Sequence, residues 1–227
     1  MRTLKSILVA SALALFFALS LSGCFLANLQ AWHEPGTAIN EPALLGTWSM
    51  KNCSDNDENK AKYCVMTLTP HRGSVGGPGD KEDDGYEIVF RGENGQQSIF
   101  YAYLFEAGGE RFLESAVDEG PKVDPAFAVH VVMSNVVWHV KLENGDLSLE
   151  PIQLSWAAQL ARDGKLPFHV MLDKNTPLLN APPKEATALL AQYAKDPAIY
   201  DKPLVWKKGT PPGGAAAGKP AAKPKAK

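Results

Sequence analysis

The residues able to carry covalent or acid–base chemistry are three cysteines, five histidines and a set of acids, and their spacing excludes more than it suggests. Cys53 and Cys64 stand eleven residues apart, which fits neither a Cys-x-x-Cys redox pair nor a paired zinc knuckle. His33-Glu34 has no second histidine four residues on, and Ser74 has Arg72 where a nucleophile elbow needs glycine. His130 and His139 would face opposite sides of a single strand, a poor basis for a metal site. The run Asp55-Asn56-Asp57-Glu58-Asn59 begins like a calcium loop. Its sixth position, however, is Lys60 where the loop turns on glycine, and its twelfth is Met66 where a bidentate glutamate belongs. That run and the cluster Asp80, Glu82, Asp83 and Asp84 read as solvated acidic loops. With no catalytic motif and no cofactor box, the chain reads as non-enzymatic, with no cofactor and no metal.

Cys24 differs from the other two cysteines in what precedes it. Arg2 and Lys5 are followed by an uncharged apolar and small-residue run from Ser6 to Ser20, the layout of an export signal. The run is shorter than the roughly 20 residues a membrane-spanning helix needs. Leu21-Ser22-Gly23-Cys24 then resembles the lipobox of bacterial lipoproteins, in which a small residue precedes a cysteine that is diacylated before the bond on its N-terminal side is cut. The resemblance implies that residues 1–23 are a signal peptide and that Cys24 carries palmitate-type chains. One such chain binds a bilayer only marginally, whereas two or three make release very slow. Phe25, where retained lipoproteins carry Asp, resembles the pattern sent on to the outer membrane, and implies a lipid-anchored protein facing the periplasm. In that oxidising compartment a Cys53–Cys64 disulfide is the default. It would close a polar loop between neighbouring strands and stabilise by about 2 to 3 kcal/mol.

Charge separates the remaining chain into two parts. Setting aside the two cations of the leader and the four lysines of the last nineteen residues leaves 17 cations against 25 acids, a formal −8 for residues 24–208. An acidic body excludes nucleic acid as the natural partner. Residues 209–227 contain only Gly, Thr, Pro, Ala and Lys and have nothing to bury, so a disordered tail is expected.

Between these ends the pattern is mostly of period two. Residues 24–42 hold Pro35 and Gly36 without sustained periodicity and read as the lipidated N-terminus and a tether. Trp48 and Met50 then alternate with Thr47, Ser49 and Lys51, and Cys64, Met66 and Leu68 with Val65, Thr67 and Thr69, which predicts half-buried strands. Residues 71–84, rich in glycine and acid, read as a mobile loop. Asn94-Gly95, Gly108-Gly109 and Asn144-Gly145 supply the positive backbone angles of tight hairpins, so strands are expected on both sides of each. Two helices are expected late in the chain. The first places Trp156, Leu160 and Ala161 on one face between Ser155 as N-cap and Gly164 as C-cap. The second starts at Pro182-Pro183, repeats Ala186, Leu189, Leu190 and Tyr193, and stops at Asp196-Pro197. Residues 204–206 look like a last short strand.

The stretch Leu44-Leu45-Gly46-Thr47-Trp48 resembles the Gly-x-Trp opening of the lipocalin and calycin barrels. With the meander, the late helix and the closing Trp206-Lys207-Lys208, the resemblance implies a mainly β domain over residues 43–208. Its antiparallel meander would form a lipocalin-like barrel with one or two packed C-terminal helices. It also implies that Gly46 and Trp48 are structural, Trp48 packing at the closed end beside Lys207 or Lys208. Gly145-Asp146-Leu147-Ser148-Leu149, Trp156 and Ile199-Tyr200 are similar to a group of uncharacterised bacterial lipoproteins, which names no activity. Residues 99–105 are apolar on both faces. If the barrel holds a cavity, Phe100, Tyr101, Tyr103, Phe105 and Trp138 would line it around a lipid or other apolar ligand. If it is filled, an envelope protein is the partner instead.

Overall fold

A computed structural model describes residues 26–51, 63–74, 82–92, 97–117, 134–173 and 176–211. Cys24, Cys53, the acidic run at 55–59, the Asn94-Gly95 turn, His130 and the tail beyond Pro211 lie outside the described residues. The strands are β1 (Ala27–Asn28), β2 (Gly46–Lys51), β3 (Tyr63–Ser74), β4 (Glu82–Arg91), β5 (Gln97–Ala107), β6 (Glu110–Val117), β7 (Asn135–Glu143), β8 (Asp146–Pro151), β9 (His169–Asp173), β10 (Thr176–Asn180) and β11 (Leu204–Lys208). The helices are α1 (Leu154–Arg162) and α2 (Pro183–Tyr193).

Eight strands close an antiparallel barrel in the order β2-β3-β4-β5-β6-β7-β8-β11, the ring completed by β6 against β7 and by β11 against β2. The alternation read from the sequence sets the register: residues facing inward form one core that includes Trp48, Met66, Leu68, Tyr86, Ile88, Leu104, Leu113, Val140, Leu147 and Trp206. Two of the expected hairpins are present. Asn144 and Gly145 have φ of 53° and 82°, and Gly108 and Gly109 of 63° and 82°, the left-handed pairs that join twisted strands in two residues.

A second core lies outside the barrel. Phe105, Phe112 and Val137, on the outward face of β5, β6 and β7, pack with Leu26 and Trp32, with Ala157 of α1, with Leu179 of β10 and with Ala186 and Leu190 of α2. This layer is why residues 99–105 are apolar on both faces: one face lines the barrel and the other is covered.

Several expectations change here. The segment read as a tether packs on the barrel from Leu26 onward, with β1 set between β7 and β10 and Leu26, Asn28, Ala31, Trp32 and His33 buried. It shows no periodicity because its backbone is irregular and its hydrogen bonds go to side chains and distant elements. The loop expected at 71–84 is much shorter: β3 and β4 stay paired out to Ser74 and Glu82. Ser155 is not an N-cap, since α1 starts after Gln153 without a side-chain cap. Gly164, at φ 64°, does end that helix, its N–H donating to the Ala161 carbonyl. The β9–β10 hairpin was not anticipated. It brings Leu178 and Leu179 alongside β1.

Candidate functional site

At the end of the barrel where β2 begins, Lys208 Nζ lies 5.0 Å from the centroid of the Trp48 ring, the packing that the barrel resemblance implied. The Trp48 indole donates to the Leu44 carbonyl at 2.8 Å and Lys208 donates to the Ala43 carbonyl at 2.9 Å. Gly46, at φ 117°, makes the bend that brings the chain under this plug. Gly46 and Trp48 therefore serve architecture, the cation–aromatic contact being worth about 0.5 to 1 kcal/mol.

The five aromatic residues expected to line a cavity do not meet. Phe100 and Trp138 pack against the barrel interior, whereas Phe105 belongs to the outer layer. Tyr101 stacks on His71 at 4.1 Å and Tyr103 lies against His33 at 5.5 Å. Strand alternation sends neighbouring side chains to opposite faces, so a run of consecutive aromatics cannot share one wall. Cys64 sits on the inner face of β3, buried and disulfide-bonded.

The outward side of the barrel holds two histidine–carboxylate groups, each around a buried imidazole. In the first, His33 Nδ1 meets Glu114 Oε2 of β6 at 2.7 Å and Nε2 lies 3.6 Å from Asp83 Oδ2 of β4. The imidazole is stacked on Phe105 at 5.3 Å, and all three ionisable residues are at most 3 % exposed. Glu114 Oε2 also accepts from the Trp32 N–H, and Asp83 from the N–H groups of Gly36 and Ala38. Asp83, read from the sequence as part of a solvated acidic cluster, instead clamps residues 36–38 to the barrel. The acidic surroundings have a cost for the neighbouring phenol: burial first, then Asp83 and Glu114, push Tyr103 above its ordinary pKa.

In the second group His139 Nδ1 meets Glu150 Oε2 at 2.7 Å and Nε2 meets Glu110 Oε2 at 3.1 Å, under the ring of Tyr200 at 4.3 Å. Lys141 donates to Glu150 Oε1 at 2.9 Å. Burial raises the Glu150 carboxyl, but hydrogen bonds from His139 and Lys141 outweigh it and hold the group below the usual carboxylate range. Burial, with Glu110, Glu150 and Asp196 adding to it, raises Tyr200 well above its ordinary value. Both nitrogens of His139 are committed to carboxylates, and His33 is sealed beneath two aromatic rings. Neither imidazole is placed to take a proton from a substrate hydroxyl. They act as clasps.

An accessible concavity opens beside the second clasp. A cleft of about 370 Å³ on the outward face of β7, β8 and β11 is lined by Lys141, Glu143, Asn144, Asp146, Ser148, Glu150 and Val205. Val205 is 41 % exposed, the exposed large hydrophobic residue among those described. Asp146 pairs with Lys207 and Glu150 with Lys141, so the floor is a lattice of ion pairs around one apolar contact. Among the described residues no group of three His, Cys, Asp or Glu side chains is arranged to hold a metal ion.

No family model, curated protein or solved structure matches this chain. The cleft escaped the sequence because its lining comes from three strands at alternate positions, each unremarkable alone. The His33 group escaped it because residues 33, 83 and 114 share no local pattern.

Proposed function

We propose that this protein is a lipid-anchored bacterial lipoprotein that works as a non-enzymatic protein-interaction or assembly module on the periplasmic side of the outer membrane. The anchor reading rests on the export-signal layout and on Leu21-Ser22-Gly23-Cys24; the outer-membrane reading rests on Phe25. The single observation favouring an interaction module over a carrier is the occupied barrel interior. Tyr86 and Trp206, 1 and 3 % exposed, pack above the Trp48 plug with the inward-facing aliphatics of the surrounding strands, as in a small barrel filled by its own side chains. The cleft at Lys141, Ser148, Glu150 and Val205 is the surface offered to the partner. Site-specific photocrosslinkers at Ser148 and Val205 in intact envelopes test this: a discrete protein adduct at these positions and none at Thr69 is expected. Equal, diffuse labelling at all three would remove the assignment.

A carrier role keeps one observation in its favour. Met50, Phe90, Phe100, Trp138 and Leu204 are half-buried against the interior core, and the buried Trp206 indole N–H has no hydrogen-bond partner among the described residues. Solvent extraction of the purified protein followed by mass spectrometry decides the matter. A stoichiometric apolar molecule would make the carrier reading the correct one.

A further inference from the structure

The sheet has an edge that neither the clasps nor the cleft uses. β9 is the last strand in the hydrogen-bonded order; it pairs with β10 on one side, and among the described residues no strand lies on its other side. We infer that a second copy of this chain adds its own β9 there, antiparallel across a two-fold axis at Met171, so that the two sheets continue as one. The inference stands apart from the anchor and from the cleft, whose lining includes no residue of β9.

The direction of the β9 backbone groups follows from β10. The Leu179 carbonyl accepts from the Leu29 N–H at 2.9 Å, on the side of β1. The N–H and C=O of one strand residue point to the same side, so Leu179 and Val170 opposite it exchange no bonds. The ladder between β9 and β10 therefore runs through His169 with Asn180, Met171 with Leu178 and Asp173 with Thr176. Val170 and Leu172 alternate with these residues, and their N–H and C=O groups face away from β10. Pro177, which has no N–H to give, stands opposite Leu172 and takes no bond from this ladder. The half-buried Val170 side chain packs against the outer core, which fixes the strand and keeps that row of backbone groups presented.

The order of residues along this edge makes it complementary to itself. Antiparallel pairing that engages all five residues of β9 sets Met171 against Met171 of the second copy, Val170 against Leu172 and His169 against Asp173. The residues whose backbone groups face outward then meet each other, in two pairs that exchange about four inter-chain hydrogen bonds. An imidazole residue stands opposite a carboxylate residue at both ends, where it can donate a hydrogen bond when neutral and form an ion pair when protonated. Unpaired edges are commonly blunted by proline or lysine, and β9, His-Val-Met-Leu-Asp, contains neither.

Sedimentation equilibrium of the full chain in density-matched detergent, together with oxidation of intact envelopes carrying an added cysteine, tests the pairing. A concentration-dependent dimer is expected. Leu172→Pro removes an N–H that β10 does not use and should weaken the dimer at least about ten-fold, two inter-chain bonds being lost, with the melting temperature of the monomer unchanged. Asp173→Lys should also weaken it, and adding His169→Glu should restore it by exchanging the two signs; this pair of variants decides the matter if the proline chain does not fold. Met171→Cys, with its two Cα atoms about 4.5 Å apart across the axis, should give a disulfide-linked dimer. His169→Cys, about 14 Å from its own copy, should not. A chain that stays monomeric, a dimer indifferent to Leu172→Pro and to Asp173→Lys, equal crosslinking at 169 and 171, or a Met171→Cys thiol captured by a different protein overturns the proposal.

Discussion

The barrel interior and the layer outside it are both buried, yet they are built on opposite principles. Inside, strands presenting alternate apolar residues meet side chain to side chain, and the largest members, Trp48, Tyr86 and Trp206, fill the space with little polar content. Outside, an irregular strap, two helices and a short hairpin cover the same barrel; His33 between Glu114 and Asp83 fastens the strap to β6 and β4, while His139 between Glu150 and Glu110 joins β7 to β8 and β6 beneath Tyr200. The difference teaches that a segment without periodicity can still be buried when polar side chains satisfy its backbone one group at a time. Tyr86 joins the two regions. Its ring packs in the interior while its hydroxyl accepts from the Glu41 N–H at 2.8 Å, tying the strap to the core.

The contrast can be broken from either side. Trp48→Ala should cost about 3 to 5 kcal/mol by leaving a cavity in a packed interior, read as a lower urea midpoint; a change under 1 kcal/mol would mean that the interior is not close-packed. In the outer layer Glu114→Gln should cost about 1 to 3 kcal/mol, since it disturbs a buried charge-assisted bond. The double variant His33→Phe with Glu114→Leu should recover much of that loss, because an apolar pair leaves fewer buried groups unpaired. A double-mutant cycle with no coupling would show that the clasp is not a unit.

Stability should also depend on pH, mainly through groups on the outer side of the barrel. Glu150, held below its ordinary value, contributes stability above the usual carboxylate range, and that contribution is lost as pH falls below about 4.5. Tyr103 and Tyr200, held above 10, and Tyr86 with them, contribute stability that is present below pH 10 and lost as pH rises beyond it. Glu150→Gln should therefore flatten the acid limb of a melting-temperature profile without changing the alkaline limb. The smallest effect is expected at Lys208→Met, about 0.5 to 1 kcal/mol from the lost cation–aromatic contact at Trp48, measurable by the same denaturant titration.

What could be read in advance follows the same division. The Asn144-Gly145 and Gly108-Gly109 turns, the alternation along β2 and β3 and the span of α2 are local patterns, whereas the meeting of Trp48 with Lys208 was expected only from the Gly-x-Trp resemblance. Asp83 could not be told from Asp84 beside it, because one faces the strap and the other solvent only once β4 is placed. His33 gave no signal for a similar reason, its partners lying 50 and 81 residues away. The β9–β10 hairpin was missed because Pro177 interrupts a short strand and its pairing is with β1, far off in sequence.

By itself, then, the order of residues determined the mainly β character, the hairpins and the closing helix, since turn chemistry and side-chain alternation act within a few positions. The closing of the barrel by β6 on β7, the conversion of an expected tether into a buried strap, and the assembly of two histidine clasps and one cleft were decided by tertiary structure. Each depends on groups that only long-range strand pairing brings within hydrogen-bonding distance.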